Sequence, residues 1–375
     1  MRILHLISSG GMYGAEAVIL NLCHTLNESS HVSAVGVFAN STNLNLEFYE
    51  RALGEGIEAR LIPCSGQIDR SAITAVRELA VSTGADIVHA HGFKADIYAW
   101  LALRGKSIPL VSTCHTWYDH DPKVSFYGKL DRFVLRRYAA VVSVSNAVTE
   151  RLLQSGVRLE KLHMIGNGID FRPFERISLR QGRAEDEGAL MTGAVARLSP
   201  EKGIDLLIHA AKRVVREIPT AKFTVVGEGP ERERLESLIE ELGLRDSVFL
   251  AGRRDDMPSV YASFDLLVSS SRHEGLPMAI LEGMASGLPC VATAVGDVPK
   301  IIQDGECGFL VPPEDIDSLA ARVIVLLQNP VLRRQLGEAA RQRVEQEFSA
   351  QRMAAKYMNV YRYVLPIERR MSLVQ

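Results

Sequence analysis

The sequence predicts an α/β protein of two doubly wound, Rossmann-like domains facing across a cleft. Short β-branched runs alternate with amphipathic helical stretches almost from end to end. The alternation stops once, in a polar segment near the middle, and then resumes. The length agrees, since 375 residues suit two domains at roughly 150 residues each.

In the first half the strand candidates are Ile3–Ile7, Val32–Phe38, Ala59–Ile62, Asp86–Ala90, Leu110–Cys114, Ala140–Val144 and Leu162–Ile165. Amphipathic stretches Ala15–Leu26, Ala72–Ser82, Ala95–Leu103 and Ala147–Gln154 lie between them. Strands that alternate with helices of roughly 10–15 residues form βαβ units and a parallel sheet. The run Phe171–Gly188 has no apolar period and reads as a connection. The expected division is therefore a first domain at 1–172, a linker at 173–188 and a second domain at 189–349. The second set of strands is Met191–Val195, Phe223–Val226, Val248–Leu250, Leu266–Ser269, Cys290–Thr293 and Phe309–Val311. From Asp317 to Val364 the chain reads as helical with a break at Pro330. Its last segment, 350–375, opens with a helix capped by Ser349 and is expected to pack back on the first domain.

Hydrophobic residues at 47% and charged residues at 23% supply two ordinary cores. A formal net charge of −2 argues against a nucleic-acid partner. Five scattered cysteines form no C-x-x-C pair, so neither a zinc site nor a dithiol motif is signalled, and a reducing, cytoplasmic setting is expected. The apolar run Ile3–Ile7 is short and followed by glycines, unlike a signal peptide. No stretch approaches the roughly 20 apolar residues that cross a bilayer. Any membrane contact is expected to be peripheral, at the inner face of the cell membrane.

Three segments carry chemistry. The first, SSGGMYGAE, places Gly10, Gly11 and Gly14 between a strand and a helix. Such a junction aims helix N–H groups at an anion, or is only a tight turn. Its spacing is not the dinucleotide fingerprint, which disfavours a dehydrogenase. The second, AVARLSPEKGIDLLI, sets Arg197 and Lys202 around a turn that opens a helix, where a bidentate guanidinium and an ammonium suit a diphosphate. The third, SSSRHEGLPMAILEGMASGLPCVAT, is the most informative. Glu274 sits in a Gly-Pro loop and Glu282 lies eight residues on, within the helix that Pro277 opens. Two acceptor-only carboxylates suit paired hydroxyls, while backbone N–H groups near Gly275, Leu276 and Met278 suit an anion. The small residues Gly283, Ala285 and Gly287 then allow close packing or close ligand approach. No group of metal ligands stands out, Asp255-Asp256 included, so no metal is expected.

These segments together resemble the retaining family-4 glycosyltransferases of the GT-B fold. Their E-x7-E signature, in the context EGLP-x-x-x-LE-x-MA-x-G-x-P, is met by Glu274 and Glu282. NGID at Asn167–Asp170, ARLSPEKG at 196–203, VGEGP at 226–230 and GGMYGAE near the N-terminus also match, in order over nearly the whole chain. The resemblance implies that Arg197 and Lys202 neutralise a donor diphosphate, that Glu282 holds ribose hydroxyls, and that Glu274 holds hydroxyls of the transferred sugar. It further implies that the Gly11–Gly14 loop meets the sugar-phosphate end and that His115, in VSTCHTW, stands near the sugar. Arg253 or Arg254 falls where the family's base-binding loop does. Where many members continue with Gly-Gly and an acidic residue, this chain has Gly296-Asp297 and Lys300.

The implied activity moves a sugar, with retention, from a nucleoside-diphosphate sugar to a glycan or lipid-linked acceptor in cell-envelope or exopolysaccharide synthesis. A UDP-sugar or GDP-sugar would be the substrate, with no cofactor. A nucleotide-sugar epimerase and a catalytically degenerate binding subunit are the rival readings. The segment Lys123–Arg137 mixes apolar and basic residues. It reads as a helix packing one face on a sheet, or as one lying on an anionic membrane or anionic acceptor.

Overall fold

The computed structural model describes residues 1–40, 45–65, 68–115, 122–175 and 190–366. The chain divides into two compact units, Met1–Gly168 together with the segment from Ala350, and Ile169–Ser349. In the first unit the strands are β1 (Arg2–Ile7), β2 (Val32–Asn40), β3 (Glu58–Cys64), β4 (Ile87–His91), β5 (Leu110–Cys114), β6 (Ala140–Ser143) and β7 (Leu162–Met164). They form one parallel sheet in the order β3-β2-β1-β4-β5-β6-β7. In the second unit β8 (Met191–Val195), β9 (Lys222–Val226), β10 (Val248–Gly252), β11 (Leu266–Ser269), β12 (Cys290–Thr293) and β13 (Gly308–Val311) form another, in the order β10-β9-β8-β11-β12-β13. The α/β class with two parallel sheets is as expected from the alternation.

Each sheet reverses its order once, between β1 and β4 and between β8 and β11. Open parallel sheets bind ligands outside the carboxyl ends of the strands at such a reversal. The inner strands β4 and β5 are buried along their whole length, because helices cover both faces of a parallel sheet. On one face Leu4, Leu6, Val88 and Ala90 pack with Val76, Tyr98 and Leu152. On the other, Ile7, Val35 and Val37 pack with Ile19 and Phe48. The second core joins Phe223, Val225 and Val268 to Ile204, Ile208, Val214 and Val323. Each buried Val, Leu, Ile or Phe among them stabilises by about 1.5–3 kcal/mol relative to exposure.

Three local features differ from the expectation. β4 runs to His91, because two polar histidines alternate with Val88 and Ala90 inside a strand that is buried throughout. A helix at Glu47–Gly54 is held by only two buried residues, Phe48 and Ala52, too few to show a helical period in the sequence. Of the stretch read as a linker, Pro173–Glu175 belongs to the short helix Arg172–Glu175. Its Phe174 is buried, with its ring 6.0 Å from that of Tyr261; residues 176–188 lie outside the described residues. All five cysteines are buried and free. No helix among the described residues is long and apolar enough to cross a membrane.

The basic segment 123–137 forms the helix Pro122–Leu135; the side chains of Phe126, Tyr127 and Lys129 lie outside the described residues. Its described part buries Val134 and Leu135 in the core. Arg137 stacks on Phe133, 3.4 Å from the ring centroid. On this helix Asp131 is buried beside Asp96. Burial pushes Asp131 from 3.8 up to about 7, and burial with the Asp131 charge holds Asp96 well above its usual range. The native state therefore keeps protons that the unfolded chain has released. Stability is greatest below the unfolded value of 3.8, falls as pH rises, and has lost this contribution fully above about pH 7. Asp131→Asn is expected to raise Tm by about 5 °C at pH 8 and hardly at pH 4, measured by thermal denaturation across that range. An equal rise at both ends would contradict the assignment.

Candidate functional site

In the second unit, the loops leaving β8, β9 and β10 are laced by backbone bonds. Ala196 N–H donates to the Val226 carbonyl and Leu198 N–H to that of Glu228, each at 3.0 Å, and Gly227 N–H donates to the Gly252 carbonyl at 2.9 Å. The VGEGP glycines permit this approach. Gly227 has φ +145°, and a Cβ there would lie 1.9 Å from the Ala196 carbonyl oxygen. Gly227→Ala is expected to lower stability by roughly 3 kcal/mol or more, read from the denaturant midpoint. Gly54→Ala, where a Cβ meets nothing within 4 Å, should leave the midpoint nearly unchanged.

The loop carrying Lys202 is tied to the loop leaving β11. Arg272 and His273 N–H groups donate to the Glu201 carbonyl at 2.8 and 3.2 Å. The Arg272 guanidinium grips Asp205 with two bonds of 2.8 and 2.9 Å. Held this way, Lys202 Nζ donates to Glu274 Oε1 at 2.7 Å, and Ser271 Oγ donates to the same oxygen at 2.7 Å. The Glu274 side chain is only 8% exposed, against 25% for Lys202, so the pair is partly shielded from water. The two residues meet beside the β8–β11 reversal, where a parallel sheet presents its ligand site.

Glu282 stands on the helix Met278–Ala285, which follows Pro277. The Tyr261 hydroxyl donates to Glu282 Oε2 at 2.7 Å. Burial nevertheless pushes this carboxyl up to about 7, against the lowering effect of that bond. The small-residue face of the helix serves packing at Gly283, since a Cβ there would lie 2.5 Å from Leu267 Cδ2. Leu276 is buried, and the Gly275 carbonyl accepts from Asp297 N–H at 3.0 Å. At Gly296, with φ +54°, a Cβ would come 2.1 Å from the Glu274 carbonyl oxygen. Lys300 Nζ pairs with the buried Asp297 carboxylate at 3.0 Å. The two departures from the family pattern thus pair with each other, and the backbone N–H of Asp297 braces the Glu274–Gly275 turn.

Arg197 is exposed and belongs to the same loop as Lys202. Arg253 and Arg254 follow β10 and bond the carboxylates two residues on. Arg253 reaches Asp255 at 3.4 Å, and Arg254 grips Asp256 with bonds of 2.7 and 2.6 Å.

In the first unit the glycine loop precedes a helix that begins at Gly14. The loop already has an internal anion, which the spacing of its glycines did not reveal. The Glu16 carboxylate accepts from Tyr13 N–H at 3.2 Å and from Ser9 Oγ at 2.9 Å, while Gly11 N–H donates to Ser9 Oγ at 3.2 Å. Burial raises the Glu16 pKa above its ordinary value. The N–H groups of this junction are therefore partly satisfied from within, and an anion would have to share them.

Sequence reading found no group of metal ligands, but the parallel register assembles one. His5 on β1 lies opposite His89 on β4, and His91 lies opposite Thr113 on β5. One nitrogen from each of His5, His89 and His91 lies within 4.8 Å of the others. His5 stands 86 positions from His91, and only the pairing of β1 with β4 brings it to His89 and His91. His5 Nδ1 meets His91 Nε2 at 3.1 Å, and His91 Nδ1 meets His115 Nε2 at 3.1 Å. Both nitrogens of His89 are engaged, with the Tyr361 hydroxyl and with Thr113 Oγ1, each at 2.8 Å. Burial lowers His5 to about 3 and His115 to about 4, and holds His89 and His91 well below their usual value. These rings are neutral at pH 7. Among the described residues these rings bond to one another, to Tyr361 and to Thr113, and a dication among them would displace bonds already made.

Two family profiles match the chain, "Glycosyltransferase Family 4" over residues 12–172 and "Glycosyl transferases group 1" over residues 175–343. The N-acetyl-alpha-D-glucosaminyl L-malate synthase of Bacillus anthracis is 29% identical over 309 residues, covering 79% of this chain and 80% of that protein. The alpha-D-kanosaminyltransferase of Streptomyces kanamyceticus is 30% identical over 298 residues, covering 74% of this chain and 77% of its own length. Among solved structures, Anabaena HepE in complex with UDP superimposes with a TM-score of 0.80 at 24% identity, over 96% of this chain and 99% of that one. That likeness concerns the fold.

Proposed function

The chain belongs to the family-4 glycosyltransferases of the GT-B fold, and from that premise we propose that it moves a sugar, with retention, from a nucleoside-diphosphate sugar to a glycan or lipid-linked acceptor in cell-envelope or exopolysaccharide synthesis. The observation that carries this reading is the Lys202–Glu274 pair at 2.7 Å beside the β8–β11 reversal, with Glu282 on the following helix. The UDP in the HepE complex and the sugar-transferring relatives support a nucleotide-sugar donor.

The second unit holds the donor. Arg197 and Lys202 face the diphosphate, the backbone at Gly275 and Leu276 lies along it, Glu282 accepts from the ribose, and Arg253 stands at the base. Both observed bonds to Glu274 fall on Oε1, which leaves Oε2 to accept from a hydroxyl of the transferred sugar. The first unit selects the acceptor, with Gly11, Gly14 and His115 taking the parts that the family resemblance assigns them. In the reaction the anomeric carbon–phosphate oxygen bond breaks and a bond to the acceptor oxygen forms on the same face. The acceptor's hydroxyl proton passes to the departing phosphate oxygen. Arg197 and Lys202 stabilise the charge that develops there, as preorganised electrostatics.

The test is incubation with UDP-, GDP- and ADP-sugars, following donor hydrolysis and transfer. Turnover that Glu274→Ala abolishes supports the reading. Epimerised sugar released without acceptor would favour the rival epimerase, and no turnover with any donor would favour a binding subunit. Because two cations occupy the position of the diphosphate charge, turnover should continue in excess chelator. Complete loss restored by a divalent ion would overturn metal independence.

A further inference from the structure

The histidine series is longer than a structural contact needs, and it ends on a site residue. His5, His91 and His115 form one chain of ring-to-ring hydrogen bonds, each of 3.1 Å. His5 and His91 are fully buried, and His115 closes the chain just past the end of β5. His89 packs against His91 with its ring tilted by 40° and centroids 4.1 Å apart. Its bonds to Tyr361 and Thr113, and the Thr113–Tyr357 contact at 3.0 Å, wall the chain on one side.

A neutral imidazole carries one N–H, so a chain of neutral rings has only two proton arrangements. In one, His5 Nδ1–H donates to His91 Nε2, and His91 Nδ1–H donates to His115 Nε2. In the other both bonds reverse. The choice is decided at the buried end, where His5 Nε2 has no hydrogen-bond partner among the described residues. The first arrangement leaves a bare lone pair at that atom, and the second leaves a buried N–H without an acceptor. Orphaned buried N–H groups are the rarer and costlier defect. The first arrangement therefore holds, and it leaves His115 with its hydrogen on Nδ1.

We propose that His91, backed by His5, is a positioning residue that fixes His115 as an Nδ1–H donor for a hydroxyl or ring oxygen of the sugar undergoing transfer. The proposal rests on the functional reading above for what His115 faces, but the tautomer does not depend on it. Neutral imidazoles in water favour the hydrogen on Nε2, so the chain imposes the opposite state. His115 then acts as a fixed neutral donor and not as a base that takes the acceptor's proton through Nε2, because Nε2 is occupied.

The experiment is ¹⁵N NMR of histidine-labelled protein, with His115 assigned by loss of its signals in His115→Ala. The wild-type spectrum should show His115 protonated at Nδ1. Finding Nε2–H instead overturns the proposal without any relay variant having to fold. His91→Asn keeps an amide nitrogen three bonds from Cα, where Nδ1 stands, and should retain both tautomer and turnover. His91→Gln moves that nitrogen to the Nε2 position, and His91→Phe removes it. Both should let His115 revert and lower kcat about tenfold with donor KM nearly constant. Unchanged kcat in both variants, or an equal loss in His91→Asn, overturns the positioning role. Full activity in His115→Ala would refute the functional placement of His115, an outcome separate from the tautomer result.

Discussion

Glu274→Ala is expected to lower kcat for sugar transfer by about a thousandfold, the scale on which a preorganised electrostatic contact at a reacting centre acts. Lys202→Ala should cost about the same, and the double variant should be little worse than either alone, because residues that act as a unit are strongly non-additive. The geometry is the reason. Lys202 Nζ and Ser271 Oγ both hold Glu274 Oε1 at 2.7 Å, so removing either partner of the ion pair leaves the other misplaced. Stability should separate the two single variants. Lys202→Ala strands a carboxylate that is only 8% exposed, at a cost of roughly 1–2 kcal/mol once the pair's partial solvation is allowed for. Glu274→Ala leaves an ammonium that can turn to water and should unfold closer to wild type. Single-turnover kinetics and denaturant melts on the four proteins of the cycle decide it. Additive losses of activity would show that the two residues serve separate steps.

Donor affinity should depend on pH through Glu282. Burial holds its carboxyl at about 7 in the free protein, whereas paired ribose hydroxyls call for the acceptor-only carboxylate. The sign follows directly. Above pH 7 the group is ionised and binding is strong. Below pH 7 the proton must leave before the sugar docks, so affinity falls about tenfold per pH unit. Between pH 8 and pH 5.5 the Kd of a nucleotide sugar should rise about thirtyfold. A nucleotide sugar is the proper probe because its diphosphate diester does not titrate in that window. Calorimetry on wild type and Glu282→Gln checks the assignment. The variant should bind weakly with a flat profile, and a profile that persists unchanged in it would move the titrating group elsewhere.

Much of the fold was legible because its signals are local. A parallel strand covered on both faces is a short β-branched run, and the helices between strands show their apolar faces at close spacing. The E-x7-E pair was legible for the same reason, since Glu274 and Glu282 flank and enter one short helix. The helix Glu47–Gly54 was missed because two buried residues cannot set a period. His91 lies one residue past the strand expected at Asp86–Ala90, because a polar residue followed by Gly92 closes the apolar run in the sequence although the strand continues through it.

What the sequence by itself determined was the α/β class, the two-sheet organisation and the family, together with the residue types suited to a nucleotide sugar. Only the tertiary structure decided which of those residues touch. The Lys202–Glu274 bond joins residues 72 positions apart. The Asp297–Lys300 pair became a brace only when Asp297 N–H was seen to hold the Gly275 carbonyl. The histidine chain needed the register that sets His5 against His89 and His91 against Thr113. Periodicity records which face of an element is buried, but not which neighbour it is buried against. A one-residue shift of β4 would turn His89 and His91 to the opposite face and dissolve the series.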